Sequence, residues 1–373
     1  MNSILSGPQK PWQRFFAAVD WVVVILTTLL IVLAVLNLNS ADGGDWQGAL
    51  IRDQLVKIGI GAVLLVIAAS VDYRLYYRMA YVVFGVGLVL VILVKLQGAT
   101  TNEATRWLNL GFVMFQPSEL MKLTFVIGLA RVLHVHAAKK KKNKFRLLLL
   151  FAAMVFIPAA LILSQPDLST AVMLVLIAGS ILAVTELDLK TAIMLLSTGV
   201  IGIFLAWRFL LRGYQSKRIE VWLDPEAHPD AAYQVLQART AVGNGGFFGR
   251  GLYEGTQNRL NFVPYSESDF SFAVFAEEWG FVGSAVVLLL FLGLVLWAIN
   301  IASQARDRFS AVLCAGIAAL IFWHVLLNVG VVLEFFPNTG LPLPFFTHGG
   351  SNVVTVMLSL GVLISISRSR RWR

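Results

Sequence analysis

Asp269 is the residue of this sequence best placed to act as an acid or a base. It is flanked by Phe270 and Phe272 at the entrance to a long apolar segment. Apolar neighbours that exclude water favour the neutral form of a carboxyl group, so we expect the pKa of Asp269 to be raised. A carboxylate of raised pKa is a suitable base for taking a proton from an attacking hydroxyl group.

Glu119 and Lys122 form a second pair of ionisable residues, at the start of another apolar segment. They are three positions apart, so on a helix they share a face and can pair. Ionisable groups at membrane depth are costly and usually functional. An ion pair that only locks two helices together explains them equally well, and the sequence leaves both interpretations open.

Five other polar or reactive residues have simpler explanations. Asp167 follows a proline at the start of an apolar segment, which favours a helix cap. His324 and Asn328 are one helical turn apart and are best explained as hydrogen-bonding neighbouring helices. His348 has no partners at ligand spacing, so we expect no metal site. Cys314 lies in an apolar run and is expected to be a packing residue.

A cluster of glycines spans residues 243–251, in the sequence GNGGFFGRG. It lacks the GK[ST] ending and the strand–helix setting of a nucleotide-binding loop. Its composition suits a flexible lid. The cluster lies in a polar interval, 212–270, that is long enough to be a functional loop.

The composition identifies the class of protein that must position these residues. Of the 373 residues, 58% are hydrophobic and 14% are charged, which is too apolar for an ordinary soluble domain. Apolar runs of about 20 residues recur, the length that crosses a bilayer. The sequence therefore predicts an all-α polytopic membrane protein, a single domain over 1–373. The predicted spans are 18–38, 55–71, 80–97, 118–137, 147–165, 167–186, 190–211, 271–300, 309–331 and 350–367.

The distribution of basic residues predicts the orientation. The net charge of +9 is concentrated in short loops and tails on one side, including the run Lys139–Lys142. Basic loops stay cytoplasmic, so we expect both termini inside and 212–270 to be an extracytoplasmic loop between the seventh and eighth spans. The basic run is then expected to contact membrane lipids rather than nucleic acid.

Three classes of function fit such a protein. A transporter tends to show two repeated halves with broken helices, and we find no internal repeat. A membrane enzyme that acts on a lipid-linked substrate explains why Glu119, Asp167, Asp269 and Glu277 are all predicted on the outer side. A scaffold for a partner enzyme leaves the carboxylate of Asp269 unexplained.

Most of the polar residues discussed above lie in the motifs RWLNLG and QPSELMKL (106–123), QPDLST (165–170), AYQVLQARTAVGNGGFFGRGLYEGTQNRLNFVP with SDFSF and EEWGFVG (232–283), and NVGVVLEFFPNTGLPLPFFTHGGSN (328–352). These motifs resemble those of the SEDS family, the RodA/FtsW peptidoglycan polymerases, and most closely the RodA branch. Their order and spacing cover the chain from the third predicted span to the tenth. The resemblance is therefore highly specific.

The resemblance implies a glycosyltransferase of ten transmembrane helices that polymerises lipid II outside the bacterial cytoplasmic membrane. It implies that Asp269 is the catalytic residue and that Glu119 and Lys122 are a functionally important pair. It also implies a partner, a class B penicillin-binding protein with transpeptidase activity. A lipid II flippase is the alternative function, and the sequence does not exclude that both activities coexist.

The chain departs from the family pattern in two places. Glu267 and Ser268 precede the aspartate where the family usually has His-Thr. Thr347 and His348 replace Ser-Tyr in the family's Ser-Tyr-Gly-Gly-Ser string. Both changes leave the aspartate and the glycines in place, so they bear on substrate positioning.

The leaving group in this reaction is a polyprenyl pyrophosphate, whose charge is stabilised by cations or helix N-termini. Inverting displacement of so good a leaving group needs one catalytic carboxylate rather than two. No motif requires a metal, although a divalent cation (Mg or Mn) would also neutralise the pyrophosphate. The supporting or substrate-binding residues predicted by position are Arg106, Trp107, Gln116, Glu119, Lys122, Arg239, Gln257, Arg259, Gly349, Gly350 and Ser351.

Overall fold

The computed structural model describes residues 19–97, 99–101, 104–109, 114–138, 144–185, 190, 193–195, 197, 213–260, 262 and 267–371. These residues form twelve helices and three short strands. The elements are α1 (Trp21–Ala41), α2 (Ala49–Ser70), α3 (Tyr73–Gln97), β1 (Ala99–Thr101), β2 (Ala104–Asn109), β3 (Met114–Phe115), α4 (Pro117–Ala138), α5 (Lys144–Leu163), α6 (Leu168–Ala183), α7 (Gly213–Leu223), α8 (Pro229–Gly245), α9 (Thr256–Arg259), α10 (Ser271–Ser303), α11 (Arg308–Val332) and α12 (Gly350–Arg371).

Seven of the described helices are long and apolar enough to cross a membrane, namely α1, α3, α4, α5, α10, α11 and α12. Helix α2 corresponds to the second predicted span but carries Arg52, Asp53 and Lys57, and α6 has only 16 residues. The predicted span 190–211 lies almost wholly outside the described residues. The protein is a multi-pass membrane protein, and the count of ten spans stays a prediction.

Burial divides the membrane helices into a centre and a periphery. In the most apolar part of each helix, 67% of α4 and α11 and 89% of α12 is buried, against 33% of α1 and α10 and 22% of α3. The outer helices therefore present apolar side chains to lipid, while the central helices pack on protein. The central helices hold the buried ionisable residues Glu119, Lys122 and His324, and α10 holds two more, Glu277 and Glu278.

A small antiparallel sheet modifies the all-α prediction. Strand β2 pairs with both β1 and β3, between the third and fourth predicted spans. Leu108 lies opposite Phe115, two residues before α4 begins at Pro117. Because short hairpin strands show little periodicity, pattern alone does not separate them from loop. The sheet holds Arg106 near the N-terminus of α4.

The glycine cluster 243–251 packs against α10, where Gly280 interrupts the helix with φ 65° and ψ −163°. The Phe281 N–H donates to the Gly246 oxygen at 3.0 Å, and the Gly251 N–H donates to the Glu278 oxygen at 3.0 Å. A methyl group on Gly249 would overlap the Glu278 carbonyl group. The glycines therefore allow direct backbone packing, and the cluster is a docked segment rather than a lid.

The predicted loop 212–270 contains helical structure where it is described. Helices α7, α8 and α9 all lie within it, and α8 packs along α10. Glu277 of α10 accepts hydrogen bonds from the backbone N–H groups of Thr256 (3.0 Å) and Gln257 (3.2 Å) at the start of α9. Together with the glycine cluster, these contacts attach the interval to the same membrane helix at three places.

Candidate active site

A cavity of about 750 Å³ lies between the N-terminus of α4, the helices α7 and α8, and the segment 334–342. Ligand sites in proteins are typically concave spaces of this size with a few convergent polar groups. Five of the residues predicted from sequence line it, namely Arg106, Trp107, Gln116, Glu119 and Asp269. Residues that are far apart in the chain are therefore brought to one site.

Asp269 lies in the turn that precedes α10, and hydrogen bonds hold its own backbone and that of the two residues before it. Its carbonyl oxygen accepts from Asn328 Nδ2 at 3.0 Å. The oxygen of Ser268 accepts from Thr347 Oγ1 at 3.2 Å, and the oxygen of Glu267 accepts from the His348 N–H at 2.8 Å. The carboxylate is therefore carried by a backbone whose position is fixed by α11 and by the segment before α12.

Burial raises the pKa of the Asp269 carboxyl group above its ordinary value. The positive charges of Arg218 and Arg106 oppose this effect, whereas the nearby Glu267 adds to it. The net direction is upward because loss of water outweighs the two guanidinium groups. A base of raised pKa binds a proton more readily than an exposed aspartate, which suits proton removal from a hydroxyl group.

Glu119 and Lys122 form the ion pair that their spacing predicts. Lys122 Nζ lies 2.7 Å from Glu119 Oε1, and both side chains are buried. Lys122 Nζ also lies 2.8 Å from His324 Nε2, and Asn352 Nδ2 donates to Glu119 Oε2 at 2.9 Å. Glu119 reaches the cavity, whereas Lys122 is fully buried behind it. The pair therefore joins α4, α11 and α12 beneath the cavity.

A second polar network joins α4, α6 and α12 at the cavity wall. Asp167 caps α6 by accepting from the Thr170 N–H at 3.2 Å, as the sequence predicted. Gln116 Nε2 donates to the same carboxylate at 3.3 Å. The Gln116 N–H donates to Ser351 Oγ at 2.7 Å. Gln116 and Ser351 thus contact each other, as do Gln116 and Asp167.

Arg106 is held at the junction of α5 and α6. Its Nε donates to the Gln165 oxygen at 3.2 Å, and its Nη2 donates to the Pro166 oxygen. Trp107, the next residue of β2, lines the same cavity. Two of the guanidinium nitrogens are therefore used by protein carbonyl groups.

The remaining residues predicted as supporting residues lie elsewhere. Arg239 pairs with Glu334 at 2.7 Å, and its side chain is 64% exposed. Gln257 and Arg259 belong to α9, whose N-terminus is capped by Glu277, and Arg259 is exposed. Gly349 and Gly350 lie at the start of α12, where a Cβ on Gly350 would meet the Lys57 side chain. Within the described residues, none of these five lines the cavity.

His348 takes part in a separate charged cluster. Its Nε2 lies 2.7 Å from Asp53 Oδ2, and Asp53 also pairs with Lys57 of the same helix. Across the described residues, no group of three or more His, Cys, Asp or Glu side chains is arranged to hold a metal ion. Cys314 is buried in α11.

Two cationic residues that line the cavity, Lys217 and Arg218 of α7, were not among the residues predicted from sequence. Arg218 Nη1 donates to the Asn338 oxygen at 3.0 Å. The signal in the sequence is the pair of basic residues shortly before Val221 and Trp222, which also line the cavity. The prediction for Asn328 was also incomplete. Its side chain joins neighbouring segments, as predicted, and it does so by donating to the backbone oxygen of Asp269.

Comparisons of sequence identify relatives over nearly the whole chain. Residues 16–372 match the FtsW/RodA/SpoVE family model, described as cell cycle protein. The peptidoglycan glycosyltransferase MrdB of Escherichia coli K12 is 32% identical over 353 residues, covering 94% of each chain. The stage V sporulation protein E of Bacillus subtilis 168 is 32% identical over 366 residues, covering 95% of this chain and 98% of the relative.

Comparisons of structure agree. The rod shape determining protein RodA of Thermus thermophilus matches with a TM-score of 0.71 and 26% identity, covering 95% of this chain and 98% of that one. A chain from a peptidoglycan synthase complex, described as coordinating polymerization and crosslinking, matches with a TM-score of 0.79 and 28% identity. That match covers 95% of this chain and 99% of the other.

Proposed function

The chain belongs to the FtsW/RodA/SpoVE family, and on that premise we propose that it is a peptidoglycan glycosyltransferase that polymerises lipid II for cell shape. The observation that carries the proposal is the position of Asp269. Its partly buried carboxyl group lines a cavity of about 750 Å³ that Glu119 and Arg106 also line. The cavity has room for sugar units, and the carboxylate provides a base.

In the proposed reaction, Asp269 takes the proton from the acceptor hydroxyl. The hydroxyl oxygen forms a bond to the anomeric carbon of the donor sugar. The bond between that carbon and the pyrophosphate oxygen breaks, and its electron pair leaves with the polyprenyl pyrophosphate. A single carboxylate suffices because the leaving group needs charge stabilisation rather than protonation.

Glu119 and Lys122 support this site from beneath in our proposal. Removal of one partner would leave an uncompensated buried charge, which is strongly destabilising. Through Asn352 the pair also fixes α12 against α4. It therefore holds the shape of the cavity floor, while Glu119 is the member that a substrate reaches.

The requirement for a divalent cation stays a proposal. Three carboxylates of the cavity already have partners in the protein. Glu119 pairs with Lys122, Asp167 caps α6, and Glu334 pairs with Arg239. Such a set does not fit a resident metal ion. If Mg²⁺ or Mn²⁺ takes part, we propose that it arrives with the pyrophosphate oxygens of the substrate.

We also propose the setting of the reaction. The chain is a multi-pass protein of the inner membrane, and we propose that both termini are cytoplasmic and that the interval 212–270 lies outside. A reporter that is active only outside the cytoplasm should then be silent at Lys141 and active near Asp230. The opposite pattern would overturn the orientation.

The partner in this proposal is a class B penicillin-binding protein, which crosslinks the strands. Support comes from the structural relative, a chain of a complex that coordinates polymerization and crosslinking. Co-purification of the two proteins from detergent extracts tests the partnership, and their failure to co-purify would count against it.

A polymerisation assay tests the function. Purified protein given labelled lipid II in detergent should produce a ladder of glycan strands. In detergent there are no two membrane sides between which lipid II can be moved, and transport forms no bond between sugars. A protein that only transports lipid II therefore yields no ladder. Absence of a ladder, together with movement of lipid II across vesicles that contain the protein, would favour the flippase instead.

A further inference from the structure

The two places where this chain departs from the family pattern meet in the structure. One place is Glu267 with Ser268, and the other is Thr347 with His348. The His348 N–H donates to the Glu267 oxygen at 2.8 Å, and Thr347 Oγ1 donates to the Ser268 oxygen at 3.2 Å. The departures therefore form one contact, at the backbone that leads directly into Asp269.

The ring of His348 contacts α2. Its Nε2 lies 2.7 Å from Asp53 Oδ2 and 3.4 Å from Lys57 Nζ, and Lys57 also pairs with Asp53. A single ring nitrogen cannot donate to a carboxylate and accept from an ammonium group at the same time. The shorter distance favours a proton on Nε2 that is donated to Asp53, while Lys57 bonds to the carboxylate. Asp53 therefore holds the ring of His348 in place.

Gln54, the residue after Asp53, binds the same segment of the chain. Its Nε2 donates to the Phe345 oxygen at 3.3 Å and to the Thr347 oxygen at 3.4 Å. The Gln54 side chain is buried, so these bonds lie inside the protein rather than at its surface. Helix α2 therefore binds the segment before α12, and that segment in turn binds the backbone of the turn before α10.

We propose that Asp53 and His348 are positioning residues for Asp269, the base of the proposed reaction. This inference rests on the proposed function, because it explains how that base is held. Among the described residues neither of the two lines the cavity, so they act through the backbone rather than on the substrate. The Asp53 carboxylate fixes the His348 ring, and the His348 N–H fixes the Glu267 oxygen, two residues before Asp269. A reacting group displaced by about 1 Å can lose about 100-fold in rate, so this support bears on turnover.

Charged groups from three parts of the chain surround His348. Asp53 and Lys57 belong to α2, Glu267 precedes α10, and Asp42 at the end of α1 interacts electrostatically with both Glu267 and His348. Histidine as a residue type can change its charge between about pH 5 and 8. His348→Gln keeps a donor nitrogen in the side chain but does not titrate. This variant therefore separates the hydrogen bond to Asp53 from the charge of the ring.

The test compares lipid II polymerisation by the full-length protein with that by its variants. His348→Leu should lower kcat about tenfold with little change in KM, because it frees the turn without altering the cavity wall. His348→Gln should stay within about threefold of the wild type, since it keeps the donor. Asp53→Leu should behave like His348→Leu, and the double variant should lose little more, because both changes remove one contact. Arg52→Leu, which removes an exposed charge from the same helix, is the control and should match the wild type.

Two further measurements separate positioning from a general loss of stability. A looser turn admits water to Asp269 and weakens the burial that raises its pKa, so the acidic limb of the kcat profile should move to lower pH in His348→Leu. Amide hydrogen exchange in the segment 267–271 should be faster in His348→Leu and Asp53→Leu than in the wild type, and unchanged in His348→Gln. A variant that is only less stable would leave the acidic limb in place.

Each outcome decides between interpretations. An unmoved acidic limb in His348→Leu, or equal losses of kcat in His348→Leu and His348→Gln, would overturn the positioning role. Asp53→Leu decides alone if His348→Leu fails to fold, because the Asp53 side chain is 45% exposed. A wild type that makes no glycan, but whose exchange in 267–271 responds to these substitutions as expected, would refute the proposed function and leave the link between α2 and the turn intact. Absence of both glycan and this response would overturn both.

Discussion

Asn328 donates one hydrogen bond of 3.0 Å to the backbone oxygen of Asp269 and another of 2.9 Å to the oxygen of Leu341. A single buried amide of α11 therefore holds the proposed base and the neighbouring segment of the cavity in one arrangement. This contact matters for catalysis, because a misplacement of about 1 Å in a reacting group can lower the rate about 100-fold.

The first prediction concerns this contact. Asn328→Leu keeps the size of the side chain but removes both hydrogen bonds, so we expect kcat for polymerisation to fall about tenfold or more. KM for lipid II should change little, because Asn328 is not among the described residues that line the cavity. Ser359→Ala is the control, since Ser359 is equally buried but bonds to Thr355 of its own helix. Equal kcat values in the two variants would contradict the positioning role.

The second prediction concerns Glu119 and Lys122. Glu119→Gln and Lys122→Met should each lower activity and Tm, because each leaves one buried charge without its partner, at a cost of about 3–5 kcal/mol. The double variant should lose less than the sum of the two single losses. Thermal unfolding and polymerisation rates measure the coupling. Strict additivity would mean that the two residues act separately.

The third prediction concerns the kink in α10. Gly280→Ala should lower Tm, because φ is 65° there and the methyl group would overlap the backbone nitrogen of Gly249. A backbone with φ 65° and ψ −163° is open almost only to glycine and alone costs another residue about 1–3 kcal/mol. Gly243→Ala is the matched control from the same cluster, since nothing lies within 4 Å of its Cβ position. Replacing this helical glycine should be neutral or stabilise by about 0.5–1 kcal/mol. Equal Tm values for the two variants would refute the docking.

The sequence was sufficient to predict those parts of the site that depend on local chemistry. Asp269 stands out because aromatic residues flank it, and Glu119 and Lys122 stand out because three-residue spacing places them on one helical face. The cap formed by Asp167 follows from its position at a helix start. Most predicted spans agree with described helices because hydrophobic length is a strong signal in membrane proteins.

Features that depend on distant backbone contacts were beyond a sequence-based prediction. The composition of the glycine cluster predicted a flexible segment. The structure shows instead that its glycines allow close backbone packing, since Gly249 lies directly against Gly280. Charge alone also failed to identify which cations face the cavity. Arg239 pairs with Glu334, whereas Arg218 lines the cavity because α7 packs onto the segment 334–342, where Arg218 bonds to the Asn338 oxygen.

The fourth prediction concerns the stability of the Asp269 variant as a function of pH. The pKa of Asp269 is raised by folding, so the folded protein binds the proton more tightly than the unfolded chain. The resulting stability is present below the unfolded pKa, about 3.9, and is lost as pH rises through the folded value. Asp269→Asn avoids this loss, so it should have a higher Tm than wild type at pH 7. The difference should disappear in acid. A lower Tm for the variant at pH 7 would contradict the direction of the pKa shift.

The central claim is that the Asp269 carboxylate removes the acceptor proton, and glycan polymerisation by Asp269→Asn tests it most directly. The substitution keeps the size of the side chain but removes the base, so the rate should fall about 10²–10⁴-fold. Asp269→Glu should retain part of the activity. Glycan ladders from Asp269→Asn at nearly the wild-type rate would contradict the account.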